Sequence, residues 1–274
     1  MRQLGRPTGH PFLDAVCDRP GSVLAFAHRG GAFHPELEGL ENTRAAFTHA
    51  VALGYWYLET DVHATRDDVL LAFHDPVLDR VTDRAGAIAQ HDHAVIAQAL
   101  VGDREHVPTL ASLLEEFPQA RFNIDLKSDA AVQPLVALLE SMRAHDRVCV
   151  GSFDSPRIRR FRRSAGPRVA TAAAPAEVAV RRFAPAPQWA IRLLPGPRGD
   201  VLQVPHRLRG ITVVTGRLVE RAHAAGLPVH VWTVDDPQEI DELLDMGVDG
   251  IMTDRTDVLR DVLIRRGQWL EAPR

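Results

Sequence analysis

The sequence has little cysteine and no large excess of charge, and each absence excludes a class of protein. Its two cysteines, Cys17 and Cys149, are too few for a disulfide framework or a zinc cluster. Both lie in or near apolar stretches, so we expect reduced, structural thiols. The formal net charge is −4, with both signs interspersed along 274 residues. Such a balance gives no reason to expect nucleic acid or an anionic membrane as a partner.

Long apolar runs are also absent. The first residues, MRQLGRPTGHPFLDAV, lack the apolar core of a signal peptide, and no run approaches the length that spans a bilayer. These features predict a cytoplasmic protein without stable membrane insertion, with export by another route left open. Hydrophobic residues make up 45% of the chain, which is enough to bury a full core. No sequence signal indicates a particular oligomeric state.

Short apolar segments alternate with amphipathic ones, which predicts a parallel sheet with crossover helices. We expect strands at 23–28, 55–62, 69–74, 121–126, 147–152, 168–173, 201–204 or 211–214, 229–234 and 249–253. Helix signals include 41–54, which ends at Gly54, and two starts with proline in the first turn, after Ser155 and Asp236. About eight parallel strands predict a closed (β/α)8 TIM barrel, with a doubly wound open sheet as the alternative.

One connection interrupts this alternation. The segment YLETDVHATRDDVLLAFHDP (57–76) joins two strands through few residues, so they should form an antiparallel hairpin. With its turn at 66–68, the hairpin would bring His74 opposite Asp61, or within one or two residues of it. Residues 63–107 then form a small insertion after the second barrel strand, within one domain spanning 1–274. The Pro/Arg-rich span 181–200 is expected to be a helix flanked by turns, not a linker.

Acidic side chains cluster where the predicted barrel strands end. Because side chains alternate along a strand, Glu59 and Asp61 share one face, and Asp125 and Lys127 share a face on the next strand. Barrel active sites lie at these strand ends. The three carboxylates form an all-oxygen set that suits Ca²⁺ or Mg²⁺, with Mn²⁺ as a third choice. Taken alone, Glu59 and Asp61 would suit a solvated strand end, and Asp125 and Lys127 would suit a local salt bridge.

Two histidines and an arginine complete this group. The stretch LAFAHRGG places His28 and Arg29 at the end of the first strand, and the hairpin delivers His74. Two histidines can serve as general acid and base, while Arg29 and Lys127 offset phosphate charge. The combination predicts cleavage of a phosphodiester. Trp232, near another strand end, is either core packing or a wall for a small polyol.

Nine motifs occur in a familiar order: AHRGG (27–31), ENTRAAF (41–47), YLETDV (57–62), LLAFHDPVLDRVT (70–82), VPTL (107–110), NIDLK (123–127), GSFD (151–154), HVWTVD (230–235) and DGIMTD (249–254). This set, over about residues 24–258, resembles the glycerophosphodiester phosphodiesterases of the phospholipase-C-like barrels. The resemblance implies catalytic roles for His28 and His74, metal ligation by Glu59, Asp61 and Asp125, phosphate binding by Arg29 and Lys127, and a glycerol or alcohol pocket lined by Trp232.

The implied activity is metal-dependent hydrolysis of small glycerophosphodiesters to glycerol 3-phosphate and an alcohol such as choline, ethanolamine or glycerol. Two positions depart from the family pattern. Leu40 replaces the usual proline before Glu41, which leaves the role of Glu41 beside the metal open, and Asp125 stands where glutamate is common. A related barrel acting on lysophospholipids or other phosphodiesters is the main alternative, and a larger apolar mouth would favour it. A noncatalytic glycerophosphodiester-binding protein and purely structural acidic pairs are further alternatives.

Overall fold

Strands and helices alternate along the computed structural model, which describes residues 7–16, 19–183 and 198–272. The strands are β1 (Leu24–Ala27), β2 (Tyr57–Ala64), β3 (Leu70–Ala72), β4 (Leu100–Val101), β5 (Glu105–His106), β6 (Arg121–Leu126), β7 (Val148–Gly151), β8 (Ala170–Thr171), β9 (Leu202–Pro205), β10 (Arg207–Leu208), β11 (Ile211–Thr212), β12 (Val229–Trp232) and β13 (Gly250–Thr253). The helices are α1 (Pro11–Asp14), α2 (Arg44–Ala52), α3 (His93–Ile96), α4 (Leu110–Glu116), α5 (Val132–Ser141), α6 (Ser155–Ala165), α7 (Pro175–Phe183), α8 (Gly216–Ala224), α9 (Pro237–Met246) and α10 (Thr256–Arg265).

Eight of the strands in the described residues run parallel, in the order β8-β7-β6-β2-β1-β13-β12-β9. A parallel bridge between Ala172 and Val201 joins the two ends of this order. The sheet therefore closes into the expected (β/α)8 TIM barrel, not into an open doubly wound sheet. Of the two candidate segments near residue 205, the first supplies barrel strand β9. The second, β11, pairs with β10 in a two-stranded hairpin.

Strands β1, β2, β7 and β13 are buried along their whole length. Burial explains the largely apolar sequences of β1, β7 and β13, whereas β2 carries buried polar residues, among them Glu59 and Asp61. Two helices, α6 and α9, begin as the sequence predicts, with a proline in the first turn. Asp154 caps α6 by accepting from the Arg157 N–H, and Asp236 caps α9, each ahead of a proline in the first turn. At the far end of α9, Gly247 takes the left-handed conformation that ends the helix.

The predicted hairpin forms between β2 and β3, but its predicted register was wrong by one residue. The Phe73 N–H donates to the carbonyl of Asp61, so Phe73, not His74, lies opposite Asp61. The turn itself lies at 66–68, as predicted, and the pair that closes it sets the register. Thr65 donates to the carbonyl of Val69 around residues 66–68, and counting outward from that pair fixes the register. His74 is the next residue along and still reaches the strand end.

The chain between β3 and α4 builds its own small apolar cluster, which includes Ile88, Ile96 and Val101. Strands β4 and β5 pair antiparallel there. This segment overlaps residues 63–107, where the sequence predicts an insertion.

Some sequence predictions fall on residues outside the described ranges. Cys17 does, as does most of 181–200, of which α7 includes the first three positions. Cys149 is buried and free, as expected. None of the helices within the described ranges is long and apolar enough to cross a membrane.

Candidate active site

A cavity of about 450 Å³ opens at the carboxyl ends of the barrel strands. The side chains that the sequence singles out all line it: His28, Arg29, Glu59, Asp61, His74, Asp125, Lys127 and Trp232. They come from β1, β2, β6, β12 and the end of the β2–β3 hairpin. Residues scattered over two hundred positions thus meet at one site, as the barrel topology predicts.

The turn after β1 explains the diglycine in LAFAHRGG. Arg29, Gly30 and Gly31 all have positive φ, at 50°, 84° and 95°. A Cβ on Gly30 would lie 2.6 Å from the Cβ of Ala46, and one on Gly31 would lie 2.8 Å from Thr256. Glycine is therefore required both for the backbone conformation and for the close approach of α2 and α10. The tight turn leaves the two polar residues before the glycines facing the cavity.

His28 is held by a carboxylate that the sequence analysis did not select. Its Nδ1 lies 2.7 Å from Oδ1 of Asp254, and because a carboxylate only accepts, Nδ1 carries the proton. Nε2 lies 3.7 Å from Oε2 of Glu59. Burial lowers the pKa of His28, but the Glu59 and Asp254 carboxylates raise it more, so the net pKa is raised. Asp254 is fixed in turn because its N–H donates to Asp235 at 2.8 Å.

His74 has a matching arrangement with a different aspartate. Its Nδ1 lies 2.6 Å from Oδ1 of Asp75. Arg80 donates from Nε to the other oxygen of Asp75 at 2.6 Å, and this bond, with that of His74, lowers the pKa of Asp75 to about 2. His63 donates from Nε2 to the carbonyl of His74 at 3.1 Å. Both cavity histidines thus have Nδ1 bound to a carboxylate, which leaves Nε2 for proton transfer.

The two cations expected to bind phosphate lie among the carboxylates. Lys127 Nζ is 2.8 Å from Asp61 Oδ1 and 2.7 Å from Asp125 Oδ2. Arg29 Nε is 3.1 Å from the second oxygen of Asp61, and its backbone N–H donates to Glu59 at 3.1 Å. The Lys127 contacts follow from the register of β2 and β6, in which Asp61 pairs with Asp125.

Burial disfavours the charged form of all three carboxylates, and the neighbouring cations compensate for this effect to different degrees. Burial alone would raise the pKa of Asp61, but Lys127 and Arg29 hold it below its usual value. For Glu59 and Asp125, burial dominates and the pKa is raised despite the same cations. Asp125 also has one buried oxygen, Oδ1, without a hydrogen-bond partner. The site therefore lacks positive charge at Glu59 and Asp125.

A hard divalent cation would supply the missing positive charge. The available donors are all carboxylate oxygens, which such ions prefer as ligands. As they stand, no three His, Cys, Asp or Glu side chains in the described ranges are grouped to hold an ion. Lys127 bridges Asp61 and Asp125 instead. The oxygens left open, on Glu59 and Asp125, are the places where additional positive charge would be stabilised.

Sequence reasoning missed part of the polar network, although it lies in a quoted motif. In ENTRAAF, Asn42 donates to Asp61 at 3.1 Å and accepts from Thr60 at 2.7 Å, which orients the carboxylate. Glu41, whose role was left open, pairs with Arg29 at 3.2 Å and with Arg80 at 2.7 Å. Only the folded arrangement shows that these residues link the two histidine regions.

Two faces of the cavity differ in character. We call the first the polar wall; it consists of His28, Arg29, Glu59, Asp61, His74, Asp125 and Lys127. We call the second the apolar wall; it consists of Pro175, Val178, Ala179, Pro205, Leu208 and Val213. Trp232 and Phe153 lie between them, with ring centroids 5.2 Å apart in an edge-to-face contact. Lys127 Nζ lies 5.3 Å from the centroid of the Phe153 ring, which joins this pair to the polar wall.

The profile of the glycerophosphoryl diester phosphodiesterase family matches residues 28–258, which include every residue of the polar wall. The chain belongs to this family. The resemblance seen in the motifs is confirmed, and the chain is an enzyme of the phosphodiesterase class.

Three relatives illustrate the similarity. The chain is 42% identical to a Mycobacterium tuberculosis protein named "Probable glycerophosphodiester phosphodiesterase 2", over 95% of this chain and 97% of the other. It is 26% identical to a human lysophospholipase D, over 86% of this chain and 85% of the other. A phosphodiesterase of Oleispira antarctica was solved in complex with the product sn-glycerol-3-phosphate. Its structure matches this one with a TM-score of 0.73 at 22% identity, over 91% of this chain and 99% of the other. That last likeness supports the barrel fold.

Proposed function

We propose that the chain hydrolyses glycerophosphodiesters to glycerol 3-phosphate and an alcohol, with His28 and His74 as the acid and base pair. The observation that carries this proposal is the matched orientation of the two histidines. Each has Nδ1 bound to an aspartate and each lines the same cavity as Arg29 and Lys127. The name of the Mycobacterium tuberculosis relative and the product bound to the Oleispira antarctica protein support this substrate class.

The proton transfers follow from the histidine geometry. One histidine accepts at Nε2 the proton of the attacking hydroxyl, whether from water or from the glycerol 2-hydroxyl. The other donates its Nε2 proton to the leaving alkoxide as the bond from phosphorus to oxygen breaks. Asp254 and Asp75 hold each ring in the tautomer that this exchange requires.

Arg29 and Lys127 bind the phosphate in this proposal. Both carry their charge into a largely buried site, where it stabilises negative oxygens more strongly than it would in water. The glycerol lies against Trp232, whose ring offers a flat apolar surface to its carbon atoms.

A divalent cation, Ca²⁺ or Mg²⁺ with Mn²⁺ as a third choice, would be held by Glu59, Asp61 and Asp125. When bound, it offsets the charge on a non-bridging phosphate oxygen. The raised pKa values of Glu59 and Asp125 and the unpartnered oxygen of Asp125 support its place in the site. Lys127 pairs with two of these carboxylates, and with a cation held there it would contact the phosphate.

The test is release of glycerol 3-phosphate from glycerophosphocholine by the purified protein. It is measured after chelation, again with each of the three ions restored, and in parallel with His28→Ala. We expect release that depends on the ion and is lost in the variant. Ion-dependent stabilisation without release would refute this substrate class, and neither release nor an ion effect on the melting temperature would refute the whole proposal.

A further inference from the structure

Arg80, in the motif LLAFHDPVLDRVT, has no role in the reaction described above. It lies in a turn outside the cavity lining, and its side chain is 47% exposed. Its guanidinium group nevertheless contacts two carboxylates, those of Asp75 and Glu41. Most exposed ion pairs stabilise a protein little, but bidentate arginine contacts within a network are an exception. Arg80 therefore forms a defined connection between two parts of the chain.

This connection has a specific geometry. On one side, Arg80 Nε donates to Asp75 Oδ2 at 2.6 Å, and Nη2 donates to Asp75 Oδ1 at 3.3 Å. On the other side, Nη1 donates to Glu41 Oε2 at 2.8 Å and Nη2 to Glu41 Oε1 at 2.7 Å. The planar guanidinium group thus binds both oxygens of both carboxylates, which a lysine ammonium group cannot reproduce. We call the set of Glu41, Arg80 and Asp75 the arginine clamp.

Glu41 is the fixed end of the arginine clamp. Its side chain is only 14% exposed, and Oε1 also accepts from Arg29 Nη1 at 3.2 Å. The next residue, Asn42, is buried and donates its backbone N–H to the carbonyl of Arg29 at 2.9 Å. Glu41 is thereby joined to the turn that carries His28 and Arg29, so the clamp connects this turn to Asp75.

The two cavity histidines differ in how their aspartates are held. Asp254, which binds His28, directly follows strand β13 and is 6% exposed. Asp75, which binds His74, lies in an irregular loop beyond β3, and its side chain is 19% exposed. A strand end fixes the first carboxylate, whereas the second depends on its side-chain bonds to Arg80.

The backbone of His74 needs no such support. The N–H of the preceding residue, Phe73, donates to the carbonyl of Asp61 at 2.9 Å, and the carbonyl of His74 accepts from His63 at 3.1 Å. The freedom that remains is rotation of the imidazole ring, and the bond from Nδ1 to Asp75 limits it. The orientation of the ring therefore depends on the position of the Asp75 carboxylate.

We infer that Arg80 is a positioning residue for His74: it holds the Asp75 carboxylate where it keeps the ring oriented and Nε2 available to the substrate. This inference rests on the proposed function, which assigns proton transfer to His74. Without the guanidinium group, Asp75 can turn away from Nδ1, and the ring loses the partner that fixes its tautomer. Arg80 does not touch the substrate, so its loss lowers kcat and leaves KM nearly unchanged.

The first test is steady-state hydrolysis of glycerophosphocholine by Arg80→Ala. We expect kcat to fall by about 10–100-fold, with KM within about threefold of the wild-type value. Arg80→Lys keeps the charge but not the planar fork, so its kcat should lie between those of Arg80→Ala and the wild type. A kcat of Arg80→Ala within about threefold of the wild type would overturn the inference.

Arg66→Ala is the matched control. Arg66 is also exposed, and its Nε and a terminal nitrogen bind the two oxygens of Asp92 at 2.8 Å and 2.7 Å, outside the cavity lining. Its loss removes a comparable exposed ion pair from the turn of the β2–β3 hairpin and should leave kcat unchanged. An equal loss of kcat in Arg66→Ala and Arg80→Ala would indicate general destabilisation of this segment and would refute the positioning role.

A double-mutant cycle with His74→Ala distinguishes positioning from a purely structural effect. If Arg80 acts through His74, Arg80→Ala should lower the rate by less than about twofold once the imidazole is absent. The slow variants are compared by single-turnover hydrolysis with the enzyme in excess. The same fold loss with and without His74 would show that Arg80 acts on another group, contrary to the inference.

The same variants separate this inference from the proposed function. A large loss in His74→Ala to which the Arg80→Ala loss simply adds refutes the inference alone. Wild-type turnover by His74→Ala refutes the proposed role of His74, and a measurement without turnover then decides on Arg80. Nitrogen-15 NMR of labelled histidine, assigned with His74→Ala, should show the Nδ1–H tautomer of His74 in the wild type and a mixture of tautomers in Arg80→Ala. Identical His74 signals in the two proteins would rule out the arginine clamp as its support.

Discussion

The polar and apolar walls of one cavity are built from different parts of the fold. The polar wall comes from the ends of β1, β2 and β6 and from the adjoining hairpin, where neighbouring strands fix each side chain by hydrogen-bonded register. The apolar wall lies at the barrel rim. It comes from α7, from the end of β9, and from the β10–β11 hairpin together with Val213, which directly follows β11. The barrel thus positions the charged groups, whereas peripheral elements shape the remaining space.

The two walls also differ in electrostatic cost. Burying the carboxylates of the polar wall is unfavourable by itself and is only partly offset by Arg29 and Lys127. The apolar wall needs no such balance, so it can vary without disturbing the charges. Changes in the polar wall should therefore affect kcat strongly, and changes toward the apolar wall should act mainly through KM.

The largest effect should follow from His28→Ala. Loss of a general acid or base lowers kcat by about 10²–10⁴-fold, and the melting temperature should stay close to that of the wild type. Steady-state hydrolysis of glycerophosphocholine and a thermal melt measure the two effects. His106→Ala, which removes an exposed histidine outside the cavity lining, is the control and should change neither. Activity of His28→Ala within tenfold of wild type would contradict the assigned role.

The second effect is that of metal removal. Chelation should lower kcat by about a hundredfold, because the charge on the phosphate oxygen is no longer offset. Adding the ion at about 100 times its Kd should raise the melting temperature of the chelated protein by about 5 °C. Glu59→Gln should lose this thermal shift, whereas Leu208→Asp, on the apolar wall, should keep it. An unchanged rate and melting temperature after chelation would rule out the proposed cation site.

The sequence predicted the polar wall more fully than the apolar wall, and the reason is physical. His28, Glu59, Asp61 and Asp125 follow or end strands whose apolar runs are visible locally, and parallel topology brings such ends together. The apolar wall depends on how α7 and a short hairpin pack at the rim. An apolar residue such as Val178 has the same sequence signature whether it faces the core or a cavity.

Errors and omissions arose where geometry depends on a single residue or on distant contacts. The hairpin register was wrong by one although the turn lies at 66–68 as predicted, because the pair that closes this turn, Thr65 and Val69, places Phe73 and not His74 opposite Asp61. Asp254 was not selected although its motif was, since it lies 226 positions from His28 and local pattern cannot pair the two. Choosing β9 over β11 as the barrel strand likewise needed the folded sheet.

A third prediction concerns Asp254, which positions His28. Asp254→Asn keeps the shape but removes the charge that fixes the His28 tautomer, so kcat should fall by about 10–100-fold with KM nearly unchanged. Asp249→Asn is a matched control, because both aspartates are 6% exposed and Asp249 pairs with His223 at 2.8 Å, outside the cavity lining. That control should lower the melting temperature and leave kcat intact. Equal losses of kcat in both variants would indicate a purely structural role for Asp254.

The smallest effect should come from Trp232→Leu, at the boundary between the two walls. In the proposed function Trp232 contacts the glycerol without taking part in proton transfer, so its loss should weaken ground-state and transition-state binding alike. With glycerophosphocholine, KM should rise about fivefold while kcat changes by less than about twofold. Phe33→Leu, which alters an aromatic side chain that is 67% exposed and outside the cavity lining, should change neither constant. A fall in kcat as large as that of Asp254→Asn would place Trp232 with the polar wall, because a residue that only binds glycerol cannot change the chemical step so strongly.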